Sequence, residues 1–118
     1  MGDISEHFDR REFACHCKCG QDTVDVELVA ILEAVRHHFG QPVTITSGNR
    51  CMAHNDAVGG ERLSQHLYGR AADFTVRGVT PDQVVAFLES RYADRYGIGL
   101  YKSWVHVDSR KGRARWSR

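Results

Sequence analysis

The sequence has no long run of apolar residues and almost no net charge. Segment 1–12 lacks the apolar core of a signal peptide, and no later stretch approaches the length that spans a membrane. Lys and Arg number 16 against 15 Asp and Glu, a formal net charge of +1 that creates no overall field to attract a polyanion. We therefore expect a protein made in the cytoplasm without a signal peptide, which neither inserts into membranes nor binds nucleic acid.

The chain is also too short for two hydrophobic cores. In 118 residues, two separate domains would each bury too little apolar surface, so we expect a single domain over residues 1–118 and a monomer. Segment 110–118 is basic, and we expect it to be a solvated, partly frayed tail. The alternative is a tail that contacts an anionic polymer such as the cell wall, or a membrane surface.

Three of the four cysteines lie in one short segment. Cys15, Cys17 and Cys19 alternate along the chain, so their side chains share one side if the segment is extended. Cys51 lies further along. Three interpretations remain open: a disulfide between one of the three and Cys51, a second metal cluster, or reduced thiols with no special role.

Hydrophobic periodicity predicts two helices. Apolar residues recur at intervals of three and four between Asp25 and Phe39, and Gly40 ends this amphipathic pattern. Thr80-Pro81-Asp82 opens a second helix, because proline is well tolerated at the first helical position. The glycine- and asparagine-containing segment 47–63 predicts a long functional loop. Alternating or β-branched apolar residues predict four strands: 43–46, 71–76, 97–101 and 104–108.

The order of these elements indicates the fold class. The last two strands are separated only by Lys102-Ser103, which predicts a hairpin and therefore antiparallel pairing. The order helix, strand, loop, strand, helix, strand, strand predicts an α+β fold. We expect a small, mostly antiparallel sheet with the helices packed on one face.

His66 and Asp73 are the first candidate metal ligands. They flank Tyr68-Gly69, a turn that lets the chain fold back so that both side chains converge. Zinc favours imidazole and carboxylate ligands, and catalytic zinc sites use three protein ligands and an open position. His106 is the best third candidate, because the hairpin can bring it beside the strand of Asp73. A lone histidine is more often a satisfied core or surface residue, and we assign that role to the remaining candidates: His7, His16, His37 and His38.

The motif Ser64-x-His66-x-x-Gly69-x-Ala71-x-Asp73, followed by His106 in Trp-Val-His-Val-Asp, resembles the zinc motif of the D-alanyl-D-alanine metallopeptidase family. That family includes bacterial D,D-carboxypeptidases, D-Ala-D-Ala dipeptidases and phage endolysins, and hedgehog signalling domains share its metal-binding core. The resemblance extends roughly from Phe13 to Asp108. It implies a hedgehog/DD-peptidase-like fold in which His66, Asp73 and His106 hold Zn²⁺.

The resemblance also implies substrate-binding residues. Segment 46–50, Thr-Ser-Gly-Asn-Arg, resembles the family's Ser-Gly-x-Arg segment, whose arginine contacts the substrate. A guanidinium binds a carboxylate through two parallel hydrogen bonds, which suits Arg50 to a peptide terminus. The alternative is a surface arginine that pairs with Asp56 or Glu61. Three further residues are candidates to donate hydrogen bonds to the substrate: Ser64, Gln65 and Tyr101.

The sequence departs from the family at the general base. Many members have a Glu three residues before the last histidine, where this chain has Ser103. Others have histidines two and five residues before it, where this chain has Trp104 and Tyr101. A peptidase needs a group that takes the proton of the zinc-bound water, and Asp108 is the first substitute. Asp108 is equally suited to orient His106 through a hydrogen bond. Two residues of the long loop follow it as candidate bases: Glu61 and His54.

These observations predict a zinc metallopeptidase that hydrolyses amide bonds in peptidoglycan peptides, with Asp108 and Tyr101 as candidate catalytic residues. It would act as a D,D- or L,D-type carboxypeptidase or endopeptidase in the bacterial cell wall or periplasm. The small size also fits an enzyme derived from a phage. One alternative is a zinc-containing module that binds cell-wall peptide or a protein without cleaving it. The other is a purely structural metal, with a cysteine or His54 as fourth ligand.

Overall fold

The structure is a computed structural model that describes residues 2–16, 24–49 and 65–118. Within these residues the chain forms two α-helices, two short 3₁₀ helices and five strands. The α-helices are α1 (Val26–Phe39) and α2 (Pro81–Arg91), and the 3₁₀ helices are Arg10–Phe13 and Gln65–Tyr68. The strands are β1 (Val43–Ser47), β2 (Ala71–Val76), β3 (Gly97–Leu100), β4 (Val105–Asp108) and β5 (Ala114–Ser117).

The five strands form one sheet in the order β1-β2-β4-β3-β5. The pairs β1–β2, β2–β4 and β3–β4 are antiparallel, whereas β5 runs parallel to β3. In the turn between β3 and β4, the backbone N–H of Tyr101 donates to the carbonyl oxygen of Trp104 at 3.1 Å. The predicted hairpin and the predicted α+β fold with a mostly antiparallel sheet are therefore confirmed.

Both predicted helices form, and local signals explain where they begin and end. The backbone N–H of Gly40 donates to the carbonyl oxygen of Arg36 and closes the end of α1. At the start of α2, Thr80 and Gln83 cap each other's backbone N–H groups, and Pro81 occupies the first turn. Across the described ranges, no helix combines the length and the apolar character that crossing a bilayer requires.

The sheet separates an apolar core from a polar cluster. Because side chains alternate along a strand, every second residue of β2 and β4 faces the helices. These core residues pack with apolar side chains of α1 and α2; the strand members are Ala72, Phe74, Val76, Val105 and Val107, and the helical members include Leu28, Leu32, Val84 and Leu88. The residues between them, Asp73, His106 and Asp108, lie on the other face and are also buried.

The end of the chain corrects the prediction of a frayed tail. Residues 114–117 form β5, which pairs with the edge of β3, and the backbone N–H of Arg118 donates to the carbonyl oxygen of Leu100 at 2.8 Å. The side chain of Arg115 donates to the carbonyl oxygens of Tyr92 and Tyr96 and to the carboxylate of Glu89. The basic composition of this segment predicted that it is exposed. Arg115, however, finds acceptors in α2 and in the residues that follow it, and the backbone of β5 pairs with β3.

Of the four cysteines, Cys15 alone lies among the described residues. Cys15 is buried, with 4% of its surface exposed. Cys17, Cys19 and Cys51 lie outside the described residues. The three interpretations of the cysteine segment therefore stay predictions.

Candidate metal centre

The three predicted ligands meet on the face of the sheet opposite the helices. Asp73 of β2 and His106 of β4 are direct partners in the strand register, and the 3₁₀ helix before β2 brings His66 beside them. The Nε2 atom of His66 lies 3.4 Å from Oδ1 of Asp73, and Nδ1 of His106 lies 2.9 Å from the same oxygen. The three side chains have candidate ligand atoms within 4.8 Å of one another, and all are buried.

A backbone carbonyl fixes the ring of His66. Its Nδ1 atom lies 2.6 Å from the carbonyl oxygen of Gly48, so this nitrogen carries the proton and donates it. Nε2 is then the ring nitrogen that faces Asp73. Gly48 has no room for a side chain, because a Cβ atom there would lie 2.7 Å from the Cα atom of Phe13. The glycine thus lets the backbone come close enough to orient the histidine.

His106 is held through both of its nitrogens. Its Nδ1 atom faces Asp73, and its Nε2 atom lies 2.7 Å from Oδ2 of Asp108. Asp108 has no exposed surface and also accepts two hydrogen bonds from the guanidinium of Arg110, at 2.7 and 2.8 Å. Burial alone would raise the pKa of Asp108, but His106 and Arg110 hold it well below its usual range. This geometry suits Asp108 to orienting His106 better than to accepting a proton.

The donor set fits a zinc ion. Two imidazoles and a carboxylate are a ligand combination of catalytic zinc sites. Burial would raise the pKa of Asp73, but hydrogen bonds from His106 and His66 hold it well below its usual range, so the carboxylate is charged. Each histidine also donates its other ring proton to an oxygen, as metal-bound histidines commonly do. Across the described ranges, no fourth His, Cys or carboxylate belongs to this group.

Comparison with known proteins places this centre in a family. A sequence model described as Peptidase M15 matches residues 6–108, which is most of the chain. The chain belongs to the Peptidase M15 family. The zinc D-Ala-D-Ala carboxypeptidase of Streptomyces albus G is 46% identical over 43 residues, which cover 36% of this chain and 17% of that protein. The family resemblance inferred from the sequence motif is thereby confirmed.

Sequence reasoning missed one aromatic residue of this Peptidase M15 centre. Trp116 of β5 lies against His106, with ring centroids 5.0 Å apart, and its Nε1 atom donates to the hydroxyl of Tyr101 at 3.0 Å. Gly99 makes this approach possible, because a Cβ atom there would lie 2.5 Å from Nε1 of Trp116. The guanidinium of Arg110 lies 5.3 Å from the centroid of a Trp116 ring. The available signal was a tryptophan in an otherwise polar, basic segment.

The predicted substrate-binding residues are only partly visible in this Peptidase M15 chain. Gln65 lies in the 3₁₀ helix beside His66, and its buried Oε1 atom has no hydrogen-bond partner among the described residues. The hydroxyl of Tyr101 contacts Trp116, and its ring stacks on Trp104 with centroids 4.6 Å apart. Four other candidates lie outside the described residues: Arg50, His54, Glu61 and Ser64.

Proposed function

We propose that the protein is a zinc metallopeptidase that hydrolyses amide bonds in peptidoglycan peptides of the bacterial cell wall or periplasm. The observation that carries the proposal is the buried group of His66, Asp73 and His106, in which a second oxygen partner fixes each histidine ring. Membership of Peptidase M15 supports peptidase chemistry. The name of the Streptomyces albus G relative, a zinc D-Ala-D-Ala carboxypeptidase, supports a D-alanyl bond and a carboxypeptidase, although a D,D- or L,D-endopeptidase uses the same chemistry.

The ligand residues have a defined division of work in this proposal. His66 would bind through Nε2, His106 through Nδ1 and Asp73 through a carboxylate oxygen. With these three ligands a zinc ion would supply a water of lowered pKa and a Lewis acid for the scissile carbonyl. Asp108 holds the ring of His106 in place, and Arg110 holds Asp108 through two hydrogen bonds.

Substrate orientation is assigned to residues around this group. The buried Oε1 atom of Gln65, which has no partner in the described part of the chain, is an acceptor for a substrate N–H, because a buried acceptor without a partner is costly. The hydroxyl of Tyr101 accepts from Trp116 and keeps its own proton for donation to the substrate. By their sequence motif, Arg50 and Ser64 are assigned to the substrate carboxylate and its neighbouring carbonyl. Arg50 contributes two parallel donors for that purpose.

The general base is assigned to the long loop. Because both oxygens of Asp108 already accept hydrogen bonds and its pKa is low, this carboxylate holds a proton weakly. Glu61 and His54 are the remaining sequence candidates, and they lie outside the described residues. Removing the side chain of the true base should lower kcat without releasing zinc.

The second candidate function is a zinc-containing module that binds cell-wall peptide or a protein without cleaving it. The observation in its favour is Ser103, which stands where many family members have glutamate and is exposed in the turn between β3 and β4. A centre without a base would retain the metal and the peptide-binding groups but would not turn over.

One experiment separates the two functions. The zinc-loaded protein is incubated with purified peptidoglycan, and new amino termini are measured between about pH 6 and 9. The peptidase is expected to release them, and His66→Ala is expected to abolish the release. His38→Gln is a matched control, since this histidine stacks on Phe87 and does not belong to the centre. Peptide binding without release at any pH would select the binding module.

A further inference from the structure

A second group of metal-binding side chains lies on the outer surface of α1. Glu6 and His7 of the N-terminal segment face His37 of the helix, and the candidate ligand atoms of the three lie within 4.8 Å of one another. The carboxylate of Glu6 lies 3.9 Å from Nε2 of His7 and 3.5 Å from Nε2 of His37. Glu6 and His37 are exposed and His7 is partly exposed, so an ion in solvent can reach all three donors.

The partly buried carboxylate of Glu33 orients His7 toward this group. Its Nδ1 atom lies 2.6 Å from Oε1 of Glu33, while the other oxygen of Glu33 accepts hydrogen bonds from Ser5 and from the backbone of His7. The carboxylate of Glu33 can therefore accept a hydrogen bond from Nδ1 of His7, which fixes the orientation of the imidazole ring. The lone pair of His7 Nε2 is left for a metal, in the arrangement that metal-bound histidines commonly have.

The position of His37 on α1 also favours a cation. Glu33 and His37 are one helical turn apart and therefore lie on the same face of the helix. His37 is in the last turn of α1, where the carbonyl ends of the helix attract positive charge. An ion at this point would be bound by two segments, the N-terminal residues and the end of α1.

We propose that Glu6, His7 and His37 form a second site for a divalent transition-metal ion such as Zn²⁺, which fastens the N-terminal segment to α1. Two imidazoles and one carboxylate suit zinc better than Mg²⁺ or Ca²⁺, which prefer sets of oxygen ligands. The site is separate from the group of His66, Asp73 and His106, so it stands whether or not the protein is a peptidase.

Zinc stoichiometry tests the site directly. Equilibrium dialysis of the metal-free protein against Zn²⁺ compares wild type with His37→Gln, and with His38→Gln as the control. His38 is the next residue in the chain, but its ring stacks on Phe87 at 4.1 Å. We expect His37→Gln to bind one equivalent fewer than wild type and His38→Gln to bind the same number. Equal stoichiometry in wild type and His37→Gln would overturn the proposal.

Two further measurements keep this test independent of the peptidase centre and of variant stability. His66→Ala removes a ligand of the other group, so the double variant with His37→Gln should lose two equivalents, whereas His66→Ala alone loses one. In the wild type, zinc should shift the ¹⁵N resonances of Nε2 in His7 and His37 at the same added equivalent. If both resonances keep their positions up to saturating zinc, the second site does not exist.

Discussion

Asp108 is the most constrained polar side chain of the candidate centre. It is fully buried, lies beside His106 and accepts hydrogen bonds from Nε and Nη2 of Arg110. A carboxylate in this position resists protonation, since neutralising it would leave the guanidinium with a weaker partner. We therefore propose that Asp108 holds the imidazole of His106 at a fixed angle.

Asp108→Asn tests this positioning role. The amide keeps the shape of the side chain but presents an N–H₂ group to Arg110 or His106, so the ring loses its fixed orientation. We expect zinc affinity to fall about 10- to 100-fold, as for other partners of metal-bound histidines. Competition with a chelator measures the affinity, and kcat at saturating zinc is measured in parallel. A variant with unchanged zinc affinity and no turnover would instead identify Asp108 as the general base.

At the scale of elements, β5 covers the centre through a close contact with β3. The register sets Gly99 of β3 opposite Trp116, and the indole occupies the space above the glycine. The same indole lies against His106 and donates to Tyr101. The edge strand thus supplies one wall of the site.

Gly99→Ala tests the contact between the two strands. A Cβ atom 2.5 Å from Nε1 of Trp116 forces the indole to move, and we expect a loss of about 1–3 kcal/mol in the free energy of unfolding. Gly112→Ala is the matched control, because a Cβ atom there meets nothing within 4 Å. Urea unfolding measures both. The penalty of Gly99→Ala should shrink when combined with Trp116→Ala, and strictly additive losses would contradict the contact.

A hydrogen bond from Tyr96, just before β3, to Glu27 of α1 joins two further elements. Burial, with the Glu27 hydrogen bond and charge, raises the pKa of Tyr96 from 10.0 to about 12. The folded state therefore holds the phenol proton more tightly than the unfolded state does. This stabilising contribution is complete below pH 10 and is lost as the pH rises from 10 to about 12.

Tyr96→Phe should lower the free energy of unfolding by about 1 kcal/mol at neutral pH, the usual worth of one hydrogen bond. The difference between wild type and variant should narrow between pH 10 and 12. Urea unfolding at a series of pH values measures it. A difference that stays constant through this range would show that the phenol and Glu27 are not linked in solution.

The elements also show what local sequence patterns can predict. The two α-helices and strands β1 to β4 follow from periodicity and turn residues, and the hairpin allows His106 to lie beside β2, as the strand order shows. Strand β5 could not be predicted this way, because its apolar content is essentially one tryptophan. Sequence spacing could not decide whether Asp108 is a general base or orients His106. The argument for orientation depends on the hydrogen bonds from Arg110, and the direction of that side chain cannot be read from the sequence.

At the scale of the whole molecule, zinc in the candidate centre links segments that are far apart in the sequence. His66 lies in the 3₁₀ helix between β1 and β2, Asp73 lies on β2 and His106 lies on β4. An ion bound only by the folded state stabilises it in proportion to the logarithm of its free concentration. Metal removal should therefore affect global unfolding.

We expect chelation of zinc to lower the Tm of the wild type by several degrees, since about 1 kcal/mol corresponds to roughly 4–8 °C in a domain of this size. Differential scanning calorimetry with and without chelator measures the change. In His66→Ala/His37→Gln, which lacks a ligand of each proposed site, the chelator should have little effect. A wild type whose Tm is independent of chelator would contradict zinc binding linked to folding.

The sheet that separates the helices from the polar cluster has a consequence for how this molecule can change. Along β2 and β4, core residues alternate with residues that face the candidate metal centre. Phe74 therefore follows Asp73 directly in the chain, and Val107 lies between His106 and Asp108. Substitutions that repack the helical side would shift the strand backbones and, with them, the spacing of the ligands. Engineering for higher stability should therefore begin at surface positions of α1 and α2, because the core residues and the metal-facing residues are consecutive on the same strands.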